Sequence, residues 1–310
     1  MLSKTSTRPA LAEALFGSSA RGDADTLSDK DILIVDDNVK ILAERSAELE
    51  SRGASVASYT FAKLRALSAR GALFVQHLKL EAEITRDKGG RLTDLLADFS
   101  PCSDYSSEIA NNAELSTLAG TVPTGPRGAL FAADVLYVGV RNYGVLSLAE
   151  RGLHIYGFDA ILVGLEAQGL VASGGARVLR ALRFLKCLYR SGEAGYGEAV
   201  SNTVENALKV LPPAFFPTHL DVVEPRRVIT APPTTSAAAY LVLRDLERRL
   251  LALREMEHDP IMDTDLARLE RWIRNPRAYT SISQRLAPRV QATIARLANN
   301  CILAGSVAAS

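Results

Sequence analysis

Gly17-Ser18, then ten intervening residues, then Asp29-Lys30-Asp31 form the stretch of this sequence with most chemistry in it. Ala14-Leu15-Phe16 ahead of it reads as a strand, and Ile32-Leu33-Ile34-Val35 behind it as the body of a second strand that opens on the two aspartates. Residues i and i+2 of a strand share a face, so Asp29 and Asp31 point the same way. Two adjacent carboxylates repel each other unless a cation sits between them. Mg²⁺ (or Mn²⁺) takes few carboxylates and completes its shell with water and substrate phosphates, so the pair suits a metal-bound nucleoside triphosphate. Gly17 lets the backbone approach phosphates, and Ser18 offers a hydroxyl and an amide N–H where a helix begins. Arg21 is a weaker phosphate candidate. The plain alternative is a chance Gly-Ser turn followed by a capped strand.

This stretch resembles the signature of the polymerase-beta-like nucleotidyltransferase superfamily, in which Gly-Ser, ten residues and Asp-x-Asp recur. The flanking Ala20-Arg21-Gly22-Asp23 and Ser28 match its minimal, mostly prokaryotic branch. The resemblance implies that Gly17 and Ser18 hold the triphosphate while Asp29 and Asp31 are catalytic and bind two Mg²⁺ ions. The implied reaction moves a nucleoside monophosphate, with ATP the expected donor, to a hydroxyl acceptor. In the family a third carboxylate sits on the strand after the intervening helix. Here that strand is Ala54-Ser55-Val56-Ala57-Ser58-Tyr59, which has no acid, and Ser55 stands at the equivalent position. Glu81, Glu83 and Asp87 are the carboxylates that a neighbouring element could supply. The departure opens a second reading, a degenerate module that binds nucleotide or a partner without catalysis.

The elements that must position this stretch follow it closely. Val39–Arg52 has helical spacing after the cap-like Asp36-Asp37-Asn38 and closes at Gly53; Ala54–Thr60 reads as a third strand. Phe61–Ala69 and Ala72–Glu81 read as helices, Ile84–Asp87 as a short edge strand and Leu92–Phe99 as a helix. After Pro101 the pattern turns helical: Ser106–Ala119, a break at 121–128, then 129–150, 155–170, 175–191 and 196–210. A Pro-rich connection at 211–235 leads to helices at 236–257, 264–274 and 281–304. The expected class is α+β, with a small nucleotidyltransferase-type mixed sheet and helices over residues 1–100 and an all-α domain over 101–310.

The helical half carries the second chemical signal. Arg177, Arg180, Arg183, Lys186 and Arg190 recur every three or four residues along 175–191, a stretch without an acid. Leu179, Leu182, Phe184, Leu185 and Leu188 are assigned to the packed side. The row reads as a rail for a nucleic-acid backbone, with Lys186 also a phosphate candidate, or as a solvated face whose arginines pair with the acidic first domain. It suits an RNA acceptor such as a tRNA end. A partner protein, as in toxin–antitoxin or phage-defence pairs, and a small molecule such as an aminoglycoside are the other acceptor classes. His77 and Glu81, at i and i+4, read as a local salt-bridged pair. Arg141-Asn142 resembles the opening of the ribonuclease motif of HEPN-type helical domains, but no histidine follows within six residues, so ribonuclease activity is not expected.

Composition bounds these readings. The 310 residues are 47% hydrophobic and 23% charged, which excludes a disordered or fibrous chain. No uninterrupted apolar run approaches about 18 residues, so a membrane partner is not expected. Cys102, Cys187 and Cys301 are too few and too scattered for a disulfide framework or zinc site, and a cytoplasmic location is expected. Residues 1–174 carry 17 Lys/Arg against 22 Asp/Glu and residues 175–310 carry 19 against 13, an acidic front and a basic back. The apolar tail from Cys301 to Ala309 is a candidate interface.

Overall fold

The structure is a computed structural model that describes residues 8–193, 197–234, 236, 238–256, 263–274 and 286–308. It is α+β, with a small mixed sheet and a large helical part. Two compact units divide the chain: Met1–Ser106 with Gly144–Gly164, and Ser107–Tyr143 with Leu165–Ser310. The return of residues 144–164 to the first unit has no counterpart in the linear division read from the sequence.

In the first unit, β1 (Ala12–Phe16) runs into a single helical turn, α1 (Ser18–Arg21), before β2 (Lys30–Val35). Strands β3 (Ala54–Tyr59) and β4 (Glu83–Asp87) complete a sheet of order β3-β2-β1-β4. β1 is antiparallel to both neighbours, and β2 is parallel to β3. A parallel pair needs a crossover, which α2 (Val39–Glu50) supplies. Its start is fixed by Asn38, whose side chain accepts from the Lys40 N–H at 2.9 Å. Asp36, 4% exposed, accepts from the N–H groups of Leu11 and Asn38 and so ends β2.

Strand alternation sorts the residues onto two faces. Ala12, Ala14 and Phe16 of β1 and Leu33 and Val35 of β2 pack against α3 (Phe61–Ala69), α4 (Leu73–Glu81) and α5 (Arg91–Ala97). Ile32 and Ile34 face the other way, onto Leu42 and Leu49 of α2. On that second face Arg45 grips the Glu13 carboxylate with two bonds, at 3.0 and 2.8 Å.

The second unit holds α6 (Ser106–Ser116) from Ser107 onward, a two-stranded parallel pair and a set of helices. The pair, β5 (Thr121–Pro123) with β6 (Asp221–Val223), was not expected in a stretch read as a break and a Pro-rich connection. Strands of three residues leave no alternation to detect. α7 (Gly128–Ala149) follows and belongs to the first unit from Gly144 onward, as does α8 (Phe158–Ala167) up to Gly164. The helix read over 175–191 is broken at Arg180 into α9 (Gly175–Leu179) and α10 (Ala181–Ser191), and α11 (Gly197–Val210) follows. α12 (Pro225–Thr230), α13 (Ala239–Met256), α14 (Thr264–Arg274) and α15 (Leu286–Ala308) pack around Leu243, Leu253, Leu269 and Ile294. The expected start of the last helix at 281–285, His258 and the side chains of the tail after Cys301 lie outside the described residues.

Charge is built into this second core. Asp134 is fully buried and accepts from Arg190 at 2.8 and 3.0 Å and from Arg244 at 2.6 Å. Arg244, 1% exposed, also bonds Glu247, which accepts a 2.5 Å bond from the buried Tyr189 hydroxyl. Burial, together with the neighbouring Glu247 charge, pushes the Tyr189 phenol well above its usual range, so it stays a donor. Removing one partner of such a cluster strands the others in low dielectric. Asp134→Ala is expected to cost about 3–5 kcal/mol of unfolding free energy, measured as the shift of a urea transition.

Candidate functional site

Antiparallel pairing of β1 with β2 puts Phe16 opposite Asp31, so the residue after Phe16 meets the aspartate at the mouth of the hairpin. Gly17 has φ +71° and ψ −151°, a conformation open essentially only to glycine. A Cβ there would lie 2.8 Å from Asp31 Oδ2, so the carboxylate rests directly against the Gly17 backbone. The Gly17 carbonyl accepts from the N–H groups of Ala20 and Arg21, and the Ser18 carbonyl from that of Asp23. Those three bonds close α1, and Gly22 ends it in the left-handed region at φ +75°.

The two aspartates differ in setting. Asp31 is half-buried inside β2, whereas Asp29 is exposed and lies one residue before the strand begins. Parallel register pairs Asp31 with Ser55 of β3, and paired residues present their side chains to the same face. By alternation that face is the one covered by α3–α5 further along the strands. Ser55 is exposed beside Asp31.

The other carboxylates considered for this region are committed differently. Asp87 accepts from the N–H groups of Leu92 and Thr93 and from the Thr93 hydroxyl, which caps α5. Burial opposes its charge, but the Thr93 and Leu92 bonds outweigh that and hold its carboxyl below the usual range. Glu83 lies on β4 opposite Leu15, and its side chain is exposed. Glu81 Oε2 accepts from Arg21 at 2.5 Å and from His77 Nε2 at 2.7 Å. Burial works against the Glu81 charge, yet His77 and then Arg21 prevail and keep its carboxyl below the ordinary carboxylate range.

Arg21, read as a phosphate candidate, therefore spends its guanidinium on Glu81 and, at 3.1 Å, on Asp23. The His77–Glu81 pair expected at i, i+4 is present, with a third member that local spacing could not reveal. His77 also stacks on Tyr156, with ring centroids 4.2 Å apart, and meets Phe16 edge-on at 5.5 Å. The Arg21 guanidinium runs beside Gly157, where a Cβ would come within 3.3 Å of Nη2. Tyr156 and Gly157 lie some eighty residues from α4 in sequence and carry no motif, so no signal in the chain announced them.

The basic row is in the second unit and is not a single cationic face. Arg177 and Arg180 are exposed, Arg183 and Lys186 half-buried, and Lys186 Nζ sits 5.4 Å over the Tyr137 ring. Arg190 bonds buried Asp134, 56 residues away and in the same unit. Phe184, assigned to the packed side, is 54% exposed. The reason is geometric: Leu182, Leu185 and Tyr189 form the buried stripe, and a residue two places after Leu182 points to the far side of the helix.

Among the described residues, no group of three or more His, Cys, Asp or Glu is gathered to hold a metal ion, and no helix is long and apolar enough to cross a membrane. The three cysteines are free thiols. No family model matches the chain, and neither the curated proteins nor the solved structures contain a match.

The Gly17 geometry makes a direct test. Gly17→Ala combines a forbidden backbone conformation with a collision against Asp31 and is expected to cost about 1–3 kcal/mol. Gly22 is also left-handed but has nothing within 4 Å of an added Cβ, so Gly22→Asn is expected to stay below about 1 kcal/mol. Urea transitions of the two variants read the difference.

Proposed function

We propose that this chain is a nucleotidyltransferase of the polymerase-beta-like kind, moving AMP from ATP to a hydroxyl acceptor. The observation that carries the reading is the contact of the Asp31 carboxylate with the Gly17 backbone, which joins both halves of the Gly-Ser…Asp-x-Asp stretch at one point of the sheet. Helices on both faces of a small mixed sheet, with β1 antiparallel to β2 and β2 parallel to β3, are compatible with it. The acceptor classes are an RNA end, a partner protein and a small molecule, and the identity of the labelled product distinguishes them.

The donor set suits Mg²⁺ or Mn²⁺. It comprises two carboxylates at alternate positions, one of them open to solvent, beside a glycine whose missing Cβ lets the Asp31 carboxylate lie against the backbone. Hard divalent cations of this size complete such a set with water and phosphate oxygens, so a third protein acid is not a condition of binding. When bound, the metal neutralises phosphate charge and eases deprotonation of the acceptor hydroxyl. The chain's own contribution is positional: Asp29 and Asp31 hold the cation, while Gly17 and Ser18 receive the triphosphate. The acceptor oxygen then bonds to the α-phosphorus as the bond to pyrophosphate breaks, and the acceptor proton is lost.

Ser55 favours a second reading, a module that binds nucleotide and does not transfer it. A hydroxyl stands beside Asp31 in register where the resemblance leads one to expect a carboxylate. A weaker cation site and a poorer proton acceptor follow from that replacement.

Incubation with α-labelled ATP and Mg²⁺ or Mn²⁺, with total RNA, cell lysate or no addition, tests both readings. Label on a product with the wild type, reduced at least about a hundredfold in Asp29→Ala/Asp31→Ala, is the expected result. ATP binding without transfer by the wild type selects the binding module. Under the transferase reading, Ser55→Asp is expected to raise transfer by about tenfold through tighter cation binding, measured as the metal concentration at half-maximal rate.

A further inference from the structure

The functional reading leaves three groups beside the Gly17 turn without a part: buried His77 and Tyr156, and half-buried Glu81. Their arrangement is not that of a local helix pair. Glu81 ends α4, and its partner Arg21 is the last residue of α1, sixty positions earlier. His77, one turn before Glu81, bonds the same carboxylate oxygen and presses its ring on Phe16, the last residue of β1. The Gly17–Arg21 turn is therefore held at both ends by two residues of one helix.

The turn needs such support. A single helical turn fixes several residues for very few hydrogen bonds and is unstable in isolation. Residues 21–27 are exposed, so little packing holds the far side of α1. The charge-assisted Arg21–Glu81 bond ties that side to α4. His77 orients the Glu81 end: a carboxylate only accepts, so His77 donates from Nε2, and stacking on Tyr156 fixes the plane of its ring. Gly157 completes the enclosure by letting the Arg21 guanidinium pass against the backbone.

We propose that His77 and Glu81 are positioning residues for the Gly17–Arg21 turn, setting its affinity for a nucleoside triphosphate without touching the ligand. This rests on the nucleotidyltransferase reading for the identity of the ligand, whereas the tether itself is observed independently of it. A group acting in this way changes the population of the binding-competent turn, so its loss raises KM and leaves kcat nearly unaltered.

The test uses the full chain and two variants. Glu81→Gln removes the charge that Arg21 pairs with, and His77→Phe keeps the stack on Tyr156 but loses the bond to Glu81. Hydrogen exchange at the Ala20, Arg21 and Asp23 amides, which close the turn, is expected to accelerate about tenfold in both, with the β2 amides unchanged. The KM for ATP with Mg²⁺ is expected to rise about tenfold at a kcat within about twofold of the wild type. Unchanged exchange at those three amides overturns the proposal, as does acceleration that spreads through β1 and β2, which marks general loosening. A wild-type protein that neither binds nor transfers ATP, while exchange stays localised to the turn, overturns the ligand assignment and the functional reading together. That result is distinct from failure of the tether. Should Glu81→Gln not fold, His77→Phe and Arg21→Lys read by exchange alone decide the same question.

Discussion

The register of β1 against β2 is the constraint on which the first unit depends. Pairing Ala12 with Val35 and Phe16 with Asp31 fixes which residues of each strand face α3–α5 and which face α2. A slip of one residue would turn Leu33 and Val35 away from that core and Asp31 away from Gly17 at the same stroke. Burial therefore enforces the geometry of the polar end: the four apolar residues after Asp31 cannot pack without delivering its carboxylate to the hairpin mouth. Gly17 is the complementary requirement, since only a residue without a Cβ accepts both the backbone conformation and the oxygen lying against it.

The two units use charge in opposite ways. In the first, Asp29 is left in water at the edge of the sheet. In the second, Asp134, Arg244, Asp245, Glu247 and Arg249 are each at most 3% exposed and hydrogen-bonded to one another or to backbone carbonyls. The basic balance of residues 175–310 is in part an internal ledger, because several arginines face buried acids and not an external polyanion. Net charge counted along a chain cannot separate these cases, since buried and solvated guanidinium groups have the same letter in the sequence.

The strands and helices up to residue 99 were legible because their signals are local. An uninterrupted apolar run marks β2 and small, β-branched and aromatic residues mark β3, while Asn38 and Thr60 cap the helices that follow them. Ser55 was singled out only through the family resemblance, and its register opposite Asp31 came from the structure. What was not legible depends on distant partners. The break at Arg180, the exposure of Phe184 and the capture of Arg190 by Asp134 all follow from which side of α10 meets the second core. The short β5–β6 pair joins segments about a hundred residues apart and has no periodicity of its own. Residues 144–164 belong to the first unit through contacts such as the Tyr105 N–H to Glu150 bond at 3.0 Å, which no sequence pattern marks.

The fate of Arg21 connects these points to the chemistry of the site. Arg21 lies eight and ten residues before Asp29 and Asp31 and carries the opposite charge. Its guanidinium bonds instead go to Asp23 and Glu81, with Gly157 alongside. Glu81 can hold that role because His77 shares its carboxylate and is itself fixed by its stack on Tyr156. Arg21 is thus committed to the end of its own turn and to α4, and the shape of the hairpin mouth depends on a helix sixty residues further along the chain.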